Sequence, residues 1–134
     1  MTKVRVDQFV KEYTQWVTNQ GNIQAVALVG SYARGTATEA SDVDLVVLAN
    51  EPALYLQERA WTHLFGNVVN QQVEEYGKVT SLRVQYADGL EVEYGLTDAS
   101  WATAPVDQGT REVVSAGMKV LFERTPLLAI AGRR

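Results

Sequence analysis

Residues Val79–Tyr86 and Leu90–Leu96 alternate apolar and polar side chains on either side of Ala87-Asp88-Gly89. Alternation with period two, broken by an Asp-Gly pair, is the pattern of two half-buried strands joined by a hairpin turn. The register follows from the side chains. A two-residue Asp-Gly turn pairs Tyr86 with Glu91 and sets an apolar residue against a charged one on every rung. A three-residue turn with Gly89 in the left-handed region pairs Tyr86 with Leu90, Val84 with Val92 and Arg83 with Glu93. Leu82, Val84, Tyr86, Leu90, Val92 and Tyr94 then share one face, while Arg83, Gln85, Glu91 and Glu93 share the other. Only this second register sorts the faces, so the chain must supply further elements to cover an apolar sheet surface.

Those elements can be placed along the sequence. Val6, Phe9, Val10, Tyr13, Trp16 and Val17 recur at helical steps of three and four, with Gly21 as the expected stop. Ile23–Val29 and Val43–Leu48 are short apolar runs of the kind that form buried strands. Ser31–Ser41, small and polar, reads as a loop with one helical turn. Asn50-Glu51-Pro52 is a helix-start signal, and the helix is expected to reach Gly66 with Leu54, Trp61, Leu64 and Phe65 facing inward. Asp107 is expected to cap a helix ending at Gly117, followed by a short strand at Met118–Phe122. Strands interleaved with helices, plus one hairpin, predict a mixed sheet in an α/β or α+β fold. The expected organisation is a single domain over residues 1–134.

Composition narrows the chemistry. The 134 residues include no cysteine and one histidine, His63, and carry a formal charge of −4. Thiolate zinc sites, cysteine nucleophiles and multi-histidine metal sites are excluded, and a net negative chain gives no reason to expect a grip on a nucleic-acid backbone. No apolar run is long enough to span a bilayer, so no membrane association and a cytoplasmic location are expected. What remains is chemistry run by carboxylates, hydroxyls and backbone.

The stretch that could run it is Leu28-Val29-Gly30-Ser31, ten further residues, then Asp42-Val43-Asp44-Leu45. Asp42 and Asp44 stand at i and i+2 at a strand start, so both carboxylates leave the same face. Two acids so close repel unless a cation lies between them, and an oxygen-only ligand set suits Mg²⁺ completed by water and substrate phosphates. The bland alternative is a solvated turn before a strand. Gly30-Ser31 weighs against it, because a glycine ending a buried strand offers bare backbone N–H groups and a hydroxyl to phosphate oxygens. Gly30 to Gly35 has the glycine spacing of a Walker loop but continues Thr36-Ala37, so that motif is absent. A third acid is available on the polar face of the hairpin, as Glu91 or Glu93.

Together, Val29-Gly30-Ser31, Asp42-Val43-Asp44-Leu45 and Val92-Glu93 resemble the signature of the nucleotidyltransferase superfamily of the DNA polymerase β type. Gly-Ser-Tyr-Ala-Arg-Gly is similar to its small bacterial members, the minimal and antibiotic-modifying kinds. The resemblance implies a nucleotidyltransferase fold and transfer of a nucleoside monophosphate, AMP from ATP in the simplest case, to an acceptor hydroxyl with release of pyrophosphate. It implies that Asp42, Asp44 and Glu93, with Glu91 as the alternative third acid, act as catalytic residues and hold two divalent ions, Mg²⁺. Gly30 and Ser31 would position phosphates, with Arg34 either helping them or remaining a solvated loop residue.

The acceptor implied is a small hydroxylated molecule or a side chain of a partner protein, with no nucleic acid. A chain of this length has no room for the helical second domain of many relatives, so the acceptor pocket is expected from Leu54–Gly77, the C-terminal segment, a second copy of the chain in a homodimer, or another protein. The rival reading is a nucleotide- and Mg²⁺-binding module, or an antitoxin-type domain acting on a partner protein. Arg83 reads as the ion-pair partner of Glu93 or Glu91. Glu74-Glu75 reads as a solvated helix end, and His63 as a packed or surface residue. Trp61, Trp101, Tyr76 and Tyr94 read as core aromatics rather than stacking surfaces, and Pro126–Arg134 carries no motif.

Overall fold

The computed structural model describes residues 2–101 and 117–124. Helix α1 (Lys3–Val17) starts where the Thr2 hydroxyl accepts from the Arg5 N–H and buries Val6, Phe9, Tyr13 and Val17, the stripe set by its helical spacing. It ends at Thr18 in ordinary helical geometry, short of Gly21. Strand β1 (Ile23–Val29) leads into the one-and-a-half-turn helix α2 (Gly30–Arg34), closed by Gly35 in the left-handed region, and then a loop to β2 (Val43–Ala49). Both strands are almost wholly buried, as their unbroken apolar runs require.

A single helix over residues 50–66 does not form. A short helix α3 (Ala53–Gln57) stops at Glu58, which is extended, and a 3₁₀ helix covers Ala60–Phe65. The break lets the Trp61 indole N–H donate to the Tyr55 carbonyl at 3.0 Å and swings its ring edge-on to Tyr94, 4.7 Å between centroids. Trp61 and Phe65 are buried as expected, whereas Leu54 and Leu64 are exposed.

Strand β3 (Val68–Tyr76) then pairs antiparallel with β4 (Val79–Tyr86) through a two-residue turn in which Gly77 has a φ of 63°. Strand β5 (Glu91–Thr97) returns against β4 with Val84 opposite Val92 and Arg83 opposite Glu93, the register that face-sorting demands. Gly89 carries the left-handed φ of 95°, and the Tyr86 N–H donates to the Leu90 carbonyl at 2.8 Å. A final strand β6 (Lys119–Glu123) lies one residue from its expected position. The body of the helix expected from Asp107, and the segment Pro126–Arg134, lie outside the described residues.

The six strands form one mixed sheet in the order β3-β4-β5-β2-β1-β6, with β2 and β5 parallel and the other neighbours antiparallel. Helices α1 and α3 and the first 3₁₀ helix cover one face. The core there is aromatic, with Phe9, Tyr13, Trp16, Trp61, Phe65 and Tyr94 in mutual ring contact. The Tyr86 hydroxyl donates to the Thr62 carbonyl and accepts from Tyr94, each at 2.8 Å, so these buried phenols are satisfied. On the opposite face a smaller cluster of Ala25, Ala27, Val29, Val46, Leu48 and Trp101 covers β1 and β2, while the β3–β5 side stays polar. No helix among the described residues is long and apolar enough to cross a membrane.

Gly95, in β5, admits the neighbouring β2 backbone: a Cβ there would stand 2.8 Å from the Leu45 carbonyl oxygen and 3.0 Å from Val79 Cγ1. Gly95→Ala is expected to destabilise the fold by about 1–3 kcal/mol through overpacking, read as a lower urea midpoint with unchanged slope. An unchanged midpoint would show that the strands separate freely here.

Candidate active site: a carboxylate triad on adjoining strands

Strand register builds the site. The residues directly opposite one another across the sheet are Val29 (β1), Asp44 (β2), Glu93 (β5), Arg83 (β4) and Gln72 (β3). Paired residues project to the same face, so Asp44, Glu93 and Arg83 stand side by side on the open, polar face. Asp42, two residues before Asp44 on that face, joins them. One carboxylate oxygen from each of Asp42, Asp44 and Glu93 lies within 4.8 Å of the others.

Asp44 is the innermost of the three. Its Oδ1 is buried and has no hydrogen-bond partner among the described residues. Its Oδ2 lies against Gly30, where a Cβ would overlap the carboxylate, and Gly30 has a φ of 72° that also favours glycine. The Gly-Ser turn is thus shaped around Asp44. Burial, then the neighbouring charge of Asp42 and contact with Glu93, push the Asp44 carboxyl up to about 8.

Arg83 links the outer acids. Its Nη1 donates to Asp42 Oδ2 at 2.9 Å and to Glu91 Oε2 at 3.2 Å, and its Nη2 to Glu93 Oε2 at 3.1 Å. Its Nε donates to Glu74 Oε1 at 2.6 Å, and the Tyr76 hydroxyl donates to the other Glu74 oxygen at 2.8 Å. The Arg83 hydrogen bond, followed by that from Tyr76, holds Glu74 below the usual carboxylate range. Glu74 is therefore a strand residue paired to the site and not a solvated helix end, because Val68–Tyr76 pairs with β4 and turns Glu74 to the face of Arg83.

Of the expected third acids, Glu93 belongs to the triad and is the more enclosed, 17 % exposed against 31 % for Glu91. Glu91 sits one rung pair out, sharing Arg83 and accepting from Gln85. Ser31 is half-buried in the first turn of α2 and Arg34 is exposed at its end. His63 is exposed, while Trp61, Tyr94 and Trp101 belong to the core. Tyr76 departs from its expected core role: it is half exposed, with its hydroxyl tied to Glu74.

A model of the nucleotidyltransferase domain matches residues 6–95, which span α1 to β5 and hold every residue of this constellation. The chain belongs to the nucleotidyltransferase domain family. Among solved structures, this nucleotidyltransferase domain is similar to an aminoglycoside 6-adenyltransferase from Bacillus subtilis, with a TM-score of 0.54 and 16 % identity over 73 % of the chain and 36 % of that structure. It is similar as well to a structure of a GLD-2/RNP-8 complex, with a TM-score of 0.51 and 16 % identity over 87 % of the chain and 39 % of that structure. At such identity the likeness is one of fold, and the chain spans well under half the length of either. No curated protein matches the sequence.

Three half-buried acids, one with a buried oxygen lacking a partner among the described residues, fit a divalent cation, since oxygen donors and an uncompensated negative charge are what such an ion neutralises. With no cation, the raised Asp44 value has a defined consequence. Between roughly pH 4 and pH 8 the folded chain holds a proton that the unfolded chain has lost, so this group's contribution to stability declines as pH rises and is gone above about 8. Asp44→Asn keeps the shape and removes the charge. In chelator it is expected to melt at least about 3–6 °C above the parent chain at pH 9, with the difference narrowing through pH 6 and closing toward zero only near pH 4. Equal melting temperatures at pH 9 would contradict the crowding of charge at Asp44.

Proposed function

We propose that this nucleotidyltransferase domain transfers a nucleoside monophosphate, in the simplest case AMP from ATP, to an acceptor hydroxyl with release of pyrophosphate. The observation that carries this reading is the triad itself: Asp42, Asp44 and Glu93 gathered beside a glycine turn, with Asp44 Oδ1 buried and without a partner among the described residues.

The residues divide the work by position. Asp42, Asp44 and Glu93 would hold divalent ions, two in the full reading, which supply charge neutralisation to the phosphates and acidify the attacking hydroxyl. Gly30 and Ser31 receive the non-transferred phosphates on the β1 side of the triad, with Arg34 at the end of the same short helix as a further phosphate contact. In the transfer, the acceptor oxygen bonds to the α-phosphorus as the bond to the bridging oxygen breaks. The hydroxyl proton passes to a carboxylate, a role that falls to Glu93 in this reading. Arg83 is engaged by four carboxylates, so its charge serves the acids and not the leaving group.

The acceptor side has a chemical character of its own. A cleft of about 370 Å³ lies between the Glu39–Ser41 loop and the tip of the hairpin, lined by Glu39, Ser41, Val69, Gln85 and Glu91. Its polar lining includes two glutamates and an amide, which suit a small hydroxylated molecule or a partner protein's side chain better than a phosphate backbone.

Incubation with α-labelled ATP and Mg²⁺, over a panel of small polyhydroxylated acceptors and candidate partner proteins, tests the reading. Label is expected on an acceptor and pyrophosphate in solution, both abolished by chelator. Asp42→Asn, Asp44→Asn and Glu93→Gln are each expected to lower the rate by about a hundredfold or more while leaving the fold intact. Wild-type rates in these variants exclude the triad as the seat of the reaction, and Mg²⁺-dependent nucleotide binding without transfer favours a binding module.

A further inference from the structure

We infer that Arg83 is a positioning residue that sets the spacing of the outer two triad carboxylates, and so the preference of the site for a small octahedral cation over a larger one. The inference rests on the reading of Asp42, Asp44 and Glu93 as cation ligands.

The contacts are selective. Arg83 takes one oxygen from Asp42 (Oδ2) and one from Glu93 (Oε2), which leaves the other oxygen of each carboxylate for a ligand, and it makes no hydrogen bond to Asp44. Its two terminal nitrogens form part of one rigid planar fork, so the carboxylates they hold are kept at a fixed separation. The fork is itself anchored at the opposite edge, where Nε donates to Glu74 and Glu74 accepts from Tyr76. A line of hydrogen bonds therefore runs from the edge strand β3 through β4 to acids on β5 and before β2. Stability alone is a poor account of this arrangement, because partly buried ion pairs often do no more than offset their own desolvation.

Cation size makes the spacing matter. Mg²⁺ demands near-ideal octahedral oxygens at about 2.1 Å, whereas Ca²⁺ accepts variable shells at about 2.3–2.6 Å. Carboxylates pinned by the fork favour the stricter ion; carboxylates free to spread accommodate the larger one. A pure charge effect behaves differently: removing one positive charge strengthens the attraction for both divalent ions and leaves their ratio unchanged.

The test uses the nucleotide-free chain and the metals alone, with Mg²⁺ and Ca²⁺ each competing against Mn²⁺ and the free Mn²⁺ read by electron paramagnetic resonance. Arg83→Met is expected to lower the ratio of Mg²⁺ to Ca²⁺ affinity about tenfold, within the range found when groups that orient metal ligands are removed. Arg83→Lys, which keeps the charge but not the fork, is expected to lower it about as much. Glu74→Gln, remote from the ion and still able to accept a hydrogen bond from Nε, is expected to lower it about threefold by loosening the anchor, and it keeps the test open should the Arg83 variants fail to fold. An unchanged ratio in the folded variants, or full rescue by lysine, overturns the inference. If the parent chain binds no divalent ion, or binds it equally well as Asp44→Asn, the cation reading falls and this inference with it.

Discussion

The parallel pairing of β2 with β5 is the constraint on which the rest of this molecule turns. It sets Asp44 directly opposite Glu93, an arrangement that is unfavourable for two like charges. What enforces it lies on the other face of the same strands. Val43 meets Val92 and Leu45 meets Tyr94 among fully or nearly fully buried neighbours. A slip of one residue in either strand would turn its own apolar pair, Val43 and Leu45 or Val92 and Tyr94, away from the aromatic core and its acid into it, so the apolar layer holds the charged layer in register. Glycine fits the backbone to this register at two points. Gly95 lets β5 approach β2, and Gly30 leaves room for the Asp44 carboxylate at the end of β1.

Around that row the molecule balances charge incompletely. One guanidinium serves Asp42, Glu74, Glu91 and Glu93, and the most enclosed acid of the row, Asp44, receives nothing from it. Such a distribution is costly for a protein whose only task is to stay folded and useful for one that must hold a cation against phosphates. Stability given up at a site of this kind is a common accompaniment of activity.

The parts of this arrangement that could be read from the sequence are those governed by local rules. The hairpin register followed from face-sorting, and with it the opposition of Arg83 and Glu93. The Gly-Ser turn and the two aspartates stood out because spacing on a strand fixes which face a side chain leaves. The edge strand Val68–Tyr76 was not legible by the same means. Being an edge, it is exposed along much of its length and shows no clear alternation; the usable signal was Tyr76-Gly77-Lys78-Val79, a two-residue turn ahead of a recognised strand. Missing that strand hid the partnership of Glu74 with Arg83. The broken helix after Pro52 was equally hidden, because a tertiary contact of Trp61 with Tyr94 decides it. Arg83's reach to Asp42 depends on the order of strands in the sheet, which no local pattern encodes.

The triad joins residues about fifty positions apart in sequence, with an entire two-stranded meander between them. No fragment of the chain that stops short of β5 contains it, and no local hairpin can assemble it, since the pairing of β2 with β5 is a long-range contact. Whatever occupies the three acids therefore recognises only the completed sheet, and by mass action every such binding event draws the whole chain toward its folded state. A ligand held by the three acids would thus add its binding free energy to the stability of the whole sheet and not to that of one element.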